Sequence, residues 1–254
     1  MQKSISSFIE AEESQNVLLP ISHTTDGIFI RDIALQKALI AKECSVFNEK
    51  LLYFFYGSPA YEPIDTQVST SLNALYPIGI VLDIEKCPDP DRIVALDSGA
   101  FNNGIFENYF HKSTVIEQLY IDPKKENLGK FVNTFYKNNE NYLHEIVKND
   151  IKYSPLYFEL NSYIQLITAQ GNTKFDKRRS RVEIQYKNDI NLTQSNVLLI
   201  VLPAIFLEDT DLYNLLYDEW KTTVDTYDTY HGRQSKFFHD IEEKATKFIR
   251  ERFC

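Results

Sequence analysis

The amino-acid sequence predicts an α+β protein folded as one domain. Its 254 residues include 16 Tyr, 17 Phe and one Trp, an aromatic content that favours a substantial β-sheet over a plain helical bundle. Short apolar runs dominate the first half of the chain, and helical periodicity appears later. Because no internal repeat and no Gly- or Pro-rich linker divides the sequence, we expect residues 1–254 to form a single domain.

The strands predicted in the first half are short, apolar segments. They cover residues 17–21, 51–56, 78–84 and 92–96. The first ends in the polar run 22–25, after which apolar residues recur at helical spacing from Ile30, with Thr25 or Asp26 as the expected N-cap. The second strand is dense in aromatic residues and ends in the turn 57–59.

The second half alternates between helical and strand patterns. Asp122-Pro123 suits the start of a helix whose apolar stripe continues to Val147, and a further helix over 158–170 should stop at Gly171. Residues 180–187 alternate like a half-buried strand, and 197–207 is apolar on both faces, as in a central strand. An amphipathic helix over 237–249 closes the chain.

Charge and cysteine content limit the classes of function. A formal net charge of −9 disfavours a broad, sequence-independent grip on nucleic acid. Cys44, Cys87 and Cys254 show no zinc or disulfide spacing, which favours a reducing cytoplasm. The first 15 residues lack an apolar signal region, and the longest apolar run is far shorter than the ~20 residues of a membrane helix. We therefore expect a cytoplasmic protein with no membrane contact.

The familiar catalytic and metal-binding motifs do not occur in this sequence. None of the five histidines pairs with another His or Cys at a metal-ligand spacing, so we expect no metal. There is no phosphate-binding Walker loop, no GxGxxG, no GxSxG and no HExxH, which removes the usual support for several enzyme classes. Any prediction of activity must therefore rest on individual residues and on patterns less specific than these motifs.

His23 is the most informative histidine because it lies where a predicted strand gives way to a helix. The hydroxyls of Ser22, Thr24 and Thr25 flank it, and such junctions can bind an anion such as a pyrophosphate. A plain capping cluster with an incidental histidine would give the same pattern.

Two further segments carry a functional and a structural interpretation. Five aromatic residues fall within 52–61, and those that do not face the core would line a cleft or a partner surface, unless the strand is buried on both sides. The polar, glycine-marked loop 97–104 follows a strand, where binding residues concentrate, although turn chemistry explains it equally well.

Glu183 is a carboxylate in the middle of a predicted strand, with Arg181 and Gln185 on the same side. Such a group can accept a hydrogen bond from a hydroxyl and stabilise nearby positive charge; the alternative is a solvated edge strand. Upstream lie five basic residues, which are typical of a solvated loop but could contact nucleic acid: Lys174, Lys177, Arg178, Arg179 and Arg181.

These segments occur in an order that resembles a known family. His-Thr-Thr at residues 23–25 precedes a helix, the aromatic strand 53–56 is followed by Ser58-Pro59, and Arg-Ser-Arg-Val-Glu-Ile-Gln at 179–185 precedes a strongly apolar strand. This order resembles the NAD-using ADP-ribosyltransferases of the DNA-modifying toxin type, which occur in bacterial toxin-antitoxin and phage-defence systems. The resemblance covers residues 17–61 and 178–203, and the order of the segments carries it.

The resemblance implies a split mixed β-sheet with flanking helices and a central NAD cleft. It places His23 at the cofactor and Glu183 at the reacting ribose, as the catalytic pair, with nicotinamide stacked on an aromatic ring. The cofactor-binding residues it implies are His23, Thr24, Thr25, Tyr53, Tyr56, Ser58 and Tyr61. The chain departs from the family at Gly57, where an Arg commonly stands.

The function implied is NAD-dependent transfer of ADP-ribose to a macromolecular acceptor, with single-stranded nucleic acid as a candidate and an antitoxin as a candidate partner. Breaking the nicotinamide bond places positive charge on the ribose, which a fixed carboxylate stabilises. Arg178, Arg179 and Arg181 are the predicted nucleic-acid contacts. Two alternatives remain open: a catalytically degenerate nucleotide- or partner-binding module of the same fold, and an interaction protein with an aromatic and acidic contact surface.

Overall fold

A large mixed β-sheet with helices packed around it forms the centre of the protein. The computed structural model describes residues 4–60, 71–169 and 177–254. In chain order the strands are β1 Ile21–Asp26, β2 Ala38–Leu39, β3 Lys42–Cys44, β4 Glu49–Tyr56, β5 Pro77–Leu82, β6 Arg92–Val94, β7 Tyr120–Ile121, β8 Glu183–Tyr186, β9 Ile190–Asn191, β10 Val197–Pro203 and β11 Thr223–Tyr227. This agrees with the α+β class that the sequence predicts.

The strand order in the main sheet is β11-β10-β5-β1-β4-β8-β6-β7, and β3 pairs with β4 outside this path. β10 and β11 run parallel, and the other paired strands run antiparallel. β2 and β9 form a separate antiparallel pair. As a result β1, β4 and β8, which are far apart in sequence, are successive neighbours in the middle of the sheet.

The helices are α1 Ile5–Ile9, α2 Ile30–Gln36, α3 Ser98–Asn102, α4 Lys125–Tyr136, α5 Asn139–Leu143, α6 Phe158–Thr168, α7 Thr210–Asn214 and α8 Gln234–Phe253. A wider helical turn, Leu215–Glu219, follows α7. The closing helix α8 buries its apolar stripe against β5 and β10. This close packing depends on Gly79, because a Cβ there would lie 2.4 Å from Cγ2 of Ile241.

Several predicted elements are confirmed and others are displaced. β4 and α8 lie where the patterns place them, although α8 is longer at both ends. The strand predicted over 197–207 is confirmed as β10 only up to Pro203, because residues 204–208 form a short helical turn. The strand predicted over 17–21 begins instead at Ile21 and extends to Asp26, because Thr24 and Thr25 pair with β5. Of the two expected N-cap residues, Thr25 is therefore a strand residue, whereas Asp26 holds the N-cap position of the next helical turn without a side-chain hydrogen bond. The stripe predicted to run from 122 to 147 divides into α4 and α5. Gly171 lies outside the described residues.

Buried apolar residues from both ends of the chain meet in one continuous hydrophobic cluster, which extends from Ile5 in α1 to Ile249 in α8. Within the described ranges, no helix has the length and apolar character required to cross a membrane.

Candidate functional site

His23 lies at the point where β1 and β4 separate. The ladder between them pairs Ser22 with Phe55 and then ends. One residue further along β1, Nδ1 of His23 lies 2.8 Å from the main-chain oxygen of Tyr53, and the imidazole packs against the Phe54 ring at 5.5 Å between centroids. The side chain therefore fills the fork between the strands. His23 is a strand residue. The capping cluster that the sequence pattern offered as its structural interpretation is therefore not what holds it.

A cavity of about 520 Å³ opens beside this fork. His23, Thr25, Lys42, Cys44 and Tyr53 are among its lining residues. Burial lowers the pKa of His23, and the positive charge of Lys42 lowers it further, so the ring is neutral at neutral pH. The Tyr53 hydroxyl donates to Sγ of Cys44 at 2.7 Å, which fixes the phenol at the edge of the cavity.

Glu183 begins β8 and is only 4% exposed. Its Oε1 accepts hydrogen bonds from Ser98 Oγ at 2.6 Å and from Gln185 Nε2 at 2.5 Å, and its Oε2 accepts from the Ser98 amide at 3.2 Å. Burial, reinforced by the negative charge of Asp97, raises the pKa of Glu183 to about 8 despite these donors. Glu183 is therefore not on a solvated edge strand, which was the structural alternative.

The side-chain amide of Gln185 is held in one orientation by a cation. Its Oε1 accepts from Nη1 of Arg92 at 2.5 Å, so its NH₂ group faces Glu183 and Ser98. Arg92 is itself fixed by an ion pair to Glu49 at 2.7 Å. The chain of contacts from Glu49 through Arg92 and Gln185 positions a donor at the Glu183 carboxylate.

The loop after β6 supplies the other side of this polar cluster. Asp97 is the N-cap of α3, and its Oδ1 accepts from the Ala100 amide at 2.7 Å. That cap aims the Ser98 amide and hydroxyl at Glu183, because β6 and β8 pair Val94 with Glu183. The sequence marks 97–104 as a polar loop, but only the strand pairing reveals that Asp97 and Ser98 belong to the site.

His23 and Glu183 approach β4 from different sides. Register pairs connect Ser22 to Phe55 and Phe55 to Glu183, so these three side chains share one face of the sheet. His23 follows Ser22 and packs on Phe54, on the other face. Glu183 does not line the cavity beside His23. The single cleft predicted to hold both is therefore not formed by the described residues.

Tyr53 lies between the two groups. Its carbonyl contacts His23, and its register partner is Gln185, which bonds to Glu183. The pKa of the Tyr53 hydroxyl is raised, first by burial and also by the Cys44 hydrogen bond and the Glu183 charge. Among the described aromatic residues predicted at a cofactor, Tyr53 lines the cavity beside His23 and Tyr56 does not.

Two other predicted cofactor contacts are core residues. Tyr56 is fully buried, and its hydroxyl accepts from the Leu19 amide at 2.9 Å. Ser58 is equally buried, and its hydroxyl accepts from Nε of Arg181 at 3.1 Å. Their burial is at odds with the NAD contacts predicted for them. Thr24 and Thr25 are half-buried on β1, and Tyr61 lies outside the described residues.

The predicted nucleic-acid contacts require a similar correction. Arg181 is fully buried, and its guanidinium donates to the carbonyls of Tyr142 and Leu143, each at 2.8 Å. Arg179 is 8% exposed and donates to the Ala169 carbonyl. Neither can reach a polyanion from these positions. Arg178 is half-buried, and Lys174 lies outside the described residues.

Gly57, where the resembling family commonly has Arg, could not hold a larger residue without strain. Its φ is +74°, and a Cβ there would lie 3.1 Å from Cδ2 of Leu143. Arg181 contacts the hydroxyl of the next residue, Ser58, and is itself fully buried.

Within the described part of the chain, no cluster of three or more His, Cys, Asp or Glu side chains is arranged to hold a metal ion. Comparison with protein-family models, with curated proteins and with solved structures gives no match to this chain.

Proposed function

We propose that the chain is an NAD-dependent ADP-ribosyltransferase acting on a macromolecular acceptor, with an ADP-ribosyltransferase-like split sheet. The observation that carries the proposal is the adjacency of β1, β4 and β8. It links His23 to Tyr53 by a hydrogen bond, and Tyr53 to Glu183 through Gln185, although the chain separates these residues widely. The divergence of β1 and β4 beyond Ser22 supports the split-sheet fold.

The cavity beside His23 suits part of a dinucleotide. Its volume of about 520 Å³ lies within the range of roughly 300–1,000 Å³ usual for small-molecule pockets. Because Nδ1 of His23 is engaged by Tyr53, Nε2 is the ring nitrogen left to contact a ribose hydroxyl. Lys42 supplies positive charge at the rim, where a pyrophosphate would lie, and Thr25 supplies a hydroxyl.

Glu183 would act at the reacting ribose. The bond between C1′ and the nicotinamide nitrogen breaks, nicotinamide leaves with the electron pair, and positive charge develops on the ribose. An ionised Glu183 would stabilise that charge and accept a ribose hydroxyl hydrogen bond. The acceptor then bonds to C1′ and loses a proton. Only the carboxylate form of Glu183 can stabilise the positive charge in this way, so activity should rise as the pH rises through the raised pKa of Glu183.

Because Glu183 is buried, this mechanism requires a conformational change. The carboxylate is 4% exposed and lies on the sheet face opposite His23, so it reaches the ribose of an NAD molecule bound beside His23 only if the strands between them rearrange when NAD binds. The same observation favours a second candidate function, a catalytically degenerate module that binds a nucleotide beside His23 without turning it over. The two candidates differ in a measurable product, nicotinamide.

Nucleic acid is the acceptor we favour, in a toxin or phage-defence role. Of the three arginines predicted to contact nucleic acid, Arg178 is the one that is only half-buried, and it immediately precedes the segment that enters β8. A contact limited to this point is compatible with a net charge of −9. Replacing Arg178 with Ala should then weaken nucleic-acid modification and reduce its salt dependence, leaving NAD hydrolysis intact.

The test is incubation of the protein with NAD labelled on the adenylate half, together with DNA, RNA and cell protein. Transfer of label to one class of macromolecule with release of nicotinamide supports the transferase. Saturable NAD binding without nicotinamide release supports the degenerate module. Absence of NAD binding at millimolar concentration contradicts both.

A further inference from the structure

A second cavity, larger than the one beside His23, does not include His23 or Glu183. It is an open groove of about 1080 Å³ between α2 and the segment 204–219. We call it the acidic groove. Its apolar lining residues, here called the floor, are Ile28, Leu35, Ile205, Phe206 and Leu215, and its charged lining residues, here called the rim, are named below. Leu35 is 82% exposed and Ile28 is 48% exposed, which is unusual for large apolar side chains.

Charge distinguishes the rim from the floor. Four carboxylates line the groove, those of Asp209, Asp211, Asp218 and Glu219, against two cations, Arg31 and Lys37. One of the cations is neutralised within the rim, because Lys37 forms an ion pair with Glu219 at 2.6 Å. The remaining rim is negative around an apolar floor.

We propose that the acidic groove binds an amphipathic helix of a partner protein, with an apolar face seated on the floor and Lys or Arg residues facing the rim. An apolar groove between helical segments receives such a helix through side chains spaced i, i+3, i+4 and i+7. Basic flanks complement the rim charge and accelerate association. Two helix walls and a floor of this size fit several such side chains better than one small ligand.

The position of α2 gives docking a consequence elsewhere in the protein. Ile30, Arg31, Ala34 and Leu35 face the acidic groove. The cavity beside His23 is lined by residues on the other side of the same helix: Asp32, Ile33 and Gln36. A single two-turn helix is thus a wall of both, so a partner in the groove would restrict the motion of one wall of the His23 cavity.

Selection from a displayed library tests the proposal without NAD, so its outcome is independent of the proposed function. The library consists of helices of roughly 18 residues, about five turns, with a fixed apolar face and randomised flanks. We expect the selected helices to be enriched in Lys and Arg, and to lower amide exchange in α2 when bound. We also expect Leu35→Asp to weaken their binding at least about tenfold.

Matched variants sharpen the result. Asp211→Lys combined with Asp218→Lys should shift selection toward acidic helices, whereas Leu156→Asp, at a side chain 76% exposed outside the groove, should leave binding unchanged. Because all these side chains are on the surface, none of the changes should unfold the protein. Recovery of no helix, absence of a basic preference, or equal binding to Leu35→Asp would overturn the proposal. A change of oligomeric state in Leu35→Asp would show instead that a second copy covers the groove.

Discussion

At the scale of single residues, Glu183 is the buried carboxyl group on which the proposed chemistry depends, and its ionisation also affects the stability of the protein. Burial and the neighbouring Asp97 charge disfavour its ionised form, while Ser98 and Gln185 donate hydrogen bonds to it. With a pKa of about 8 the Glu183 carboxyl is mostly protonated at neutral pH. Three hydrogen-bond donors nevertheless point at it, and they would stabilise its ionised form. Glu183 is therefore poised to gain charge when its surroundings change.

The first prediction follows from the raised pKa of Glu183. Because the folded protein keeps this proton up to about pH 8 and the unfolded chain releases it near the ordinary value of 4.5, stability should fall as pH rises between those values. Glu183→Gln removes the effect, so its unfolding free energy relative to wild type should increase from pH 5 to pH 8 by roughly 3–4 kcal/mol. Denaturant unfolding at several pH values measures it.

The matched control is Glu251→Gln, at an exposed position in α8. Its difference from wild type should stay constant with pH. If Glu183→Gln behaves in the same way, the Glu183 carboxyl does not hold its proton in the folded state.

A second prediction concerns Arg92. Loss of its hydrogen bond frees the Gln185 amide to turn its oxygen toward Glu183, which would raise the pKa of Glu183 further. Arg92→Met should therefore move the pH profile of NAD cleavage to higher pH. Lys187→Met is the control, because Lys187 pairs with the same Glu49 at 2.8 Å but is not part of the Gln185 contact. Equal pH profiles of NAD cleavage for the two variants would show that Arg92 does not influence the pKa of Glu183.

At the scale of secondary-structure elements, the packing of α8 on the sheet depends on one glycine. Gly79→Ala would place a methyl group 2.4 Å from Ile241 Cγ2, so helix and strand must separate. We expect a loss of about 1–3 kcal/mol in unfolding free energy. Ile241→Ala removes the clashing methyl, so the double variant should be more stable than the sum of the two single changes predicts.

A thermodynamic cycle from denaturant melts checks this coupling. Strict additivity of Gly79→Ala and Ile241→Ala would mean that the close approach of α8 to β5 does not limit the residue at position 79.

Some of the secondary-structure elements can be predicted from the sequence, and others cannot. β4, β10 and α8 follow from hydrophobic periodicity alone because each buries a long apolar face. β1 is displaced because hydroxyl residues suggest a helix cap, whereas Thr24 and Thr25 are also good strand formers and pair with β5. The contact of Ser98 with Glu183 depends on the pairing of β6 with β8, which no local pattern contains.

At the scale of the whole molecule, Arg181 connects segments that are distant in sequence. Its guanidinium joins β8 to the end of α5 at Tyr142 and Leu143, and to the turn after β4 at Ser58. The sequence pattern groups Arg181 with a basic surface segment, because its carbonyl partners lie about 40 positions away. A buried cation of this kind is structural.

Arg181→Met should therefore destabilise the protein, because two buried carbonyls and one hydroxyl lose their donor. We expect a cost of about 3–5 kcal/mol in unfolding free energy. Arg250→Met, at an exposed position in α8, should cost less than about 0.5 kcal/mol. Comparable melting temperatures for the two variants would contradict the structural role of Arg181.

The most direct test of the proposed activity combines NAD binding and nicotinamide release for wild type and Glu183→Gln. Calorimetry reports binding, and chromatography reports nicotinamide at pH 8.5, where the carboxylate is formed. We expect both proteins to bind NAD within a few-fold of each other, because the cavity beside His23 does not include Glu183. We also expect nicotinamide release to fall by at least about a hundredfold in Glu183→Gln. Equal release by both proteins, or no binding by either, would contradict the proposed function.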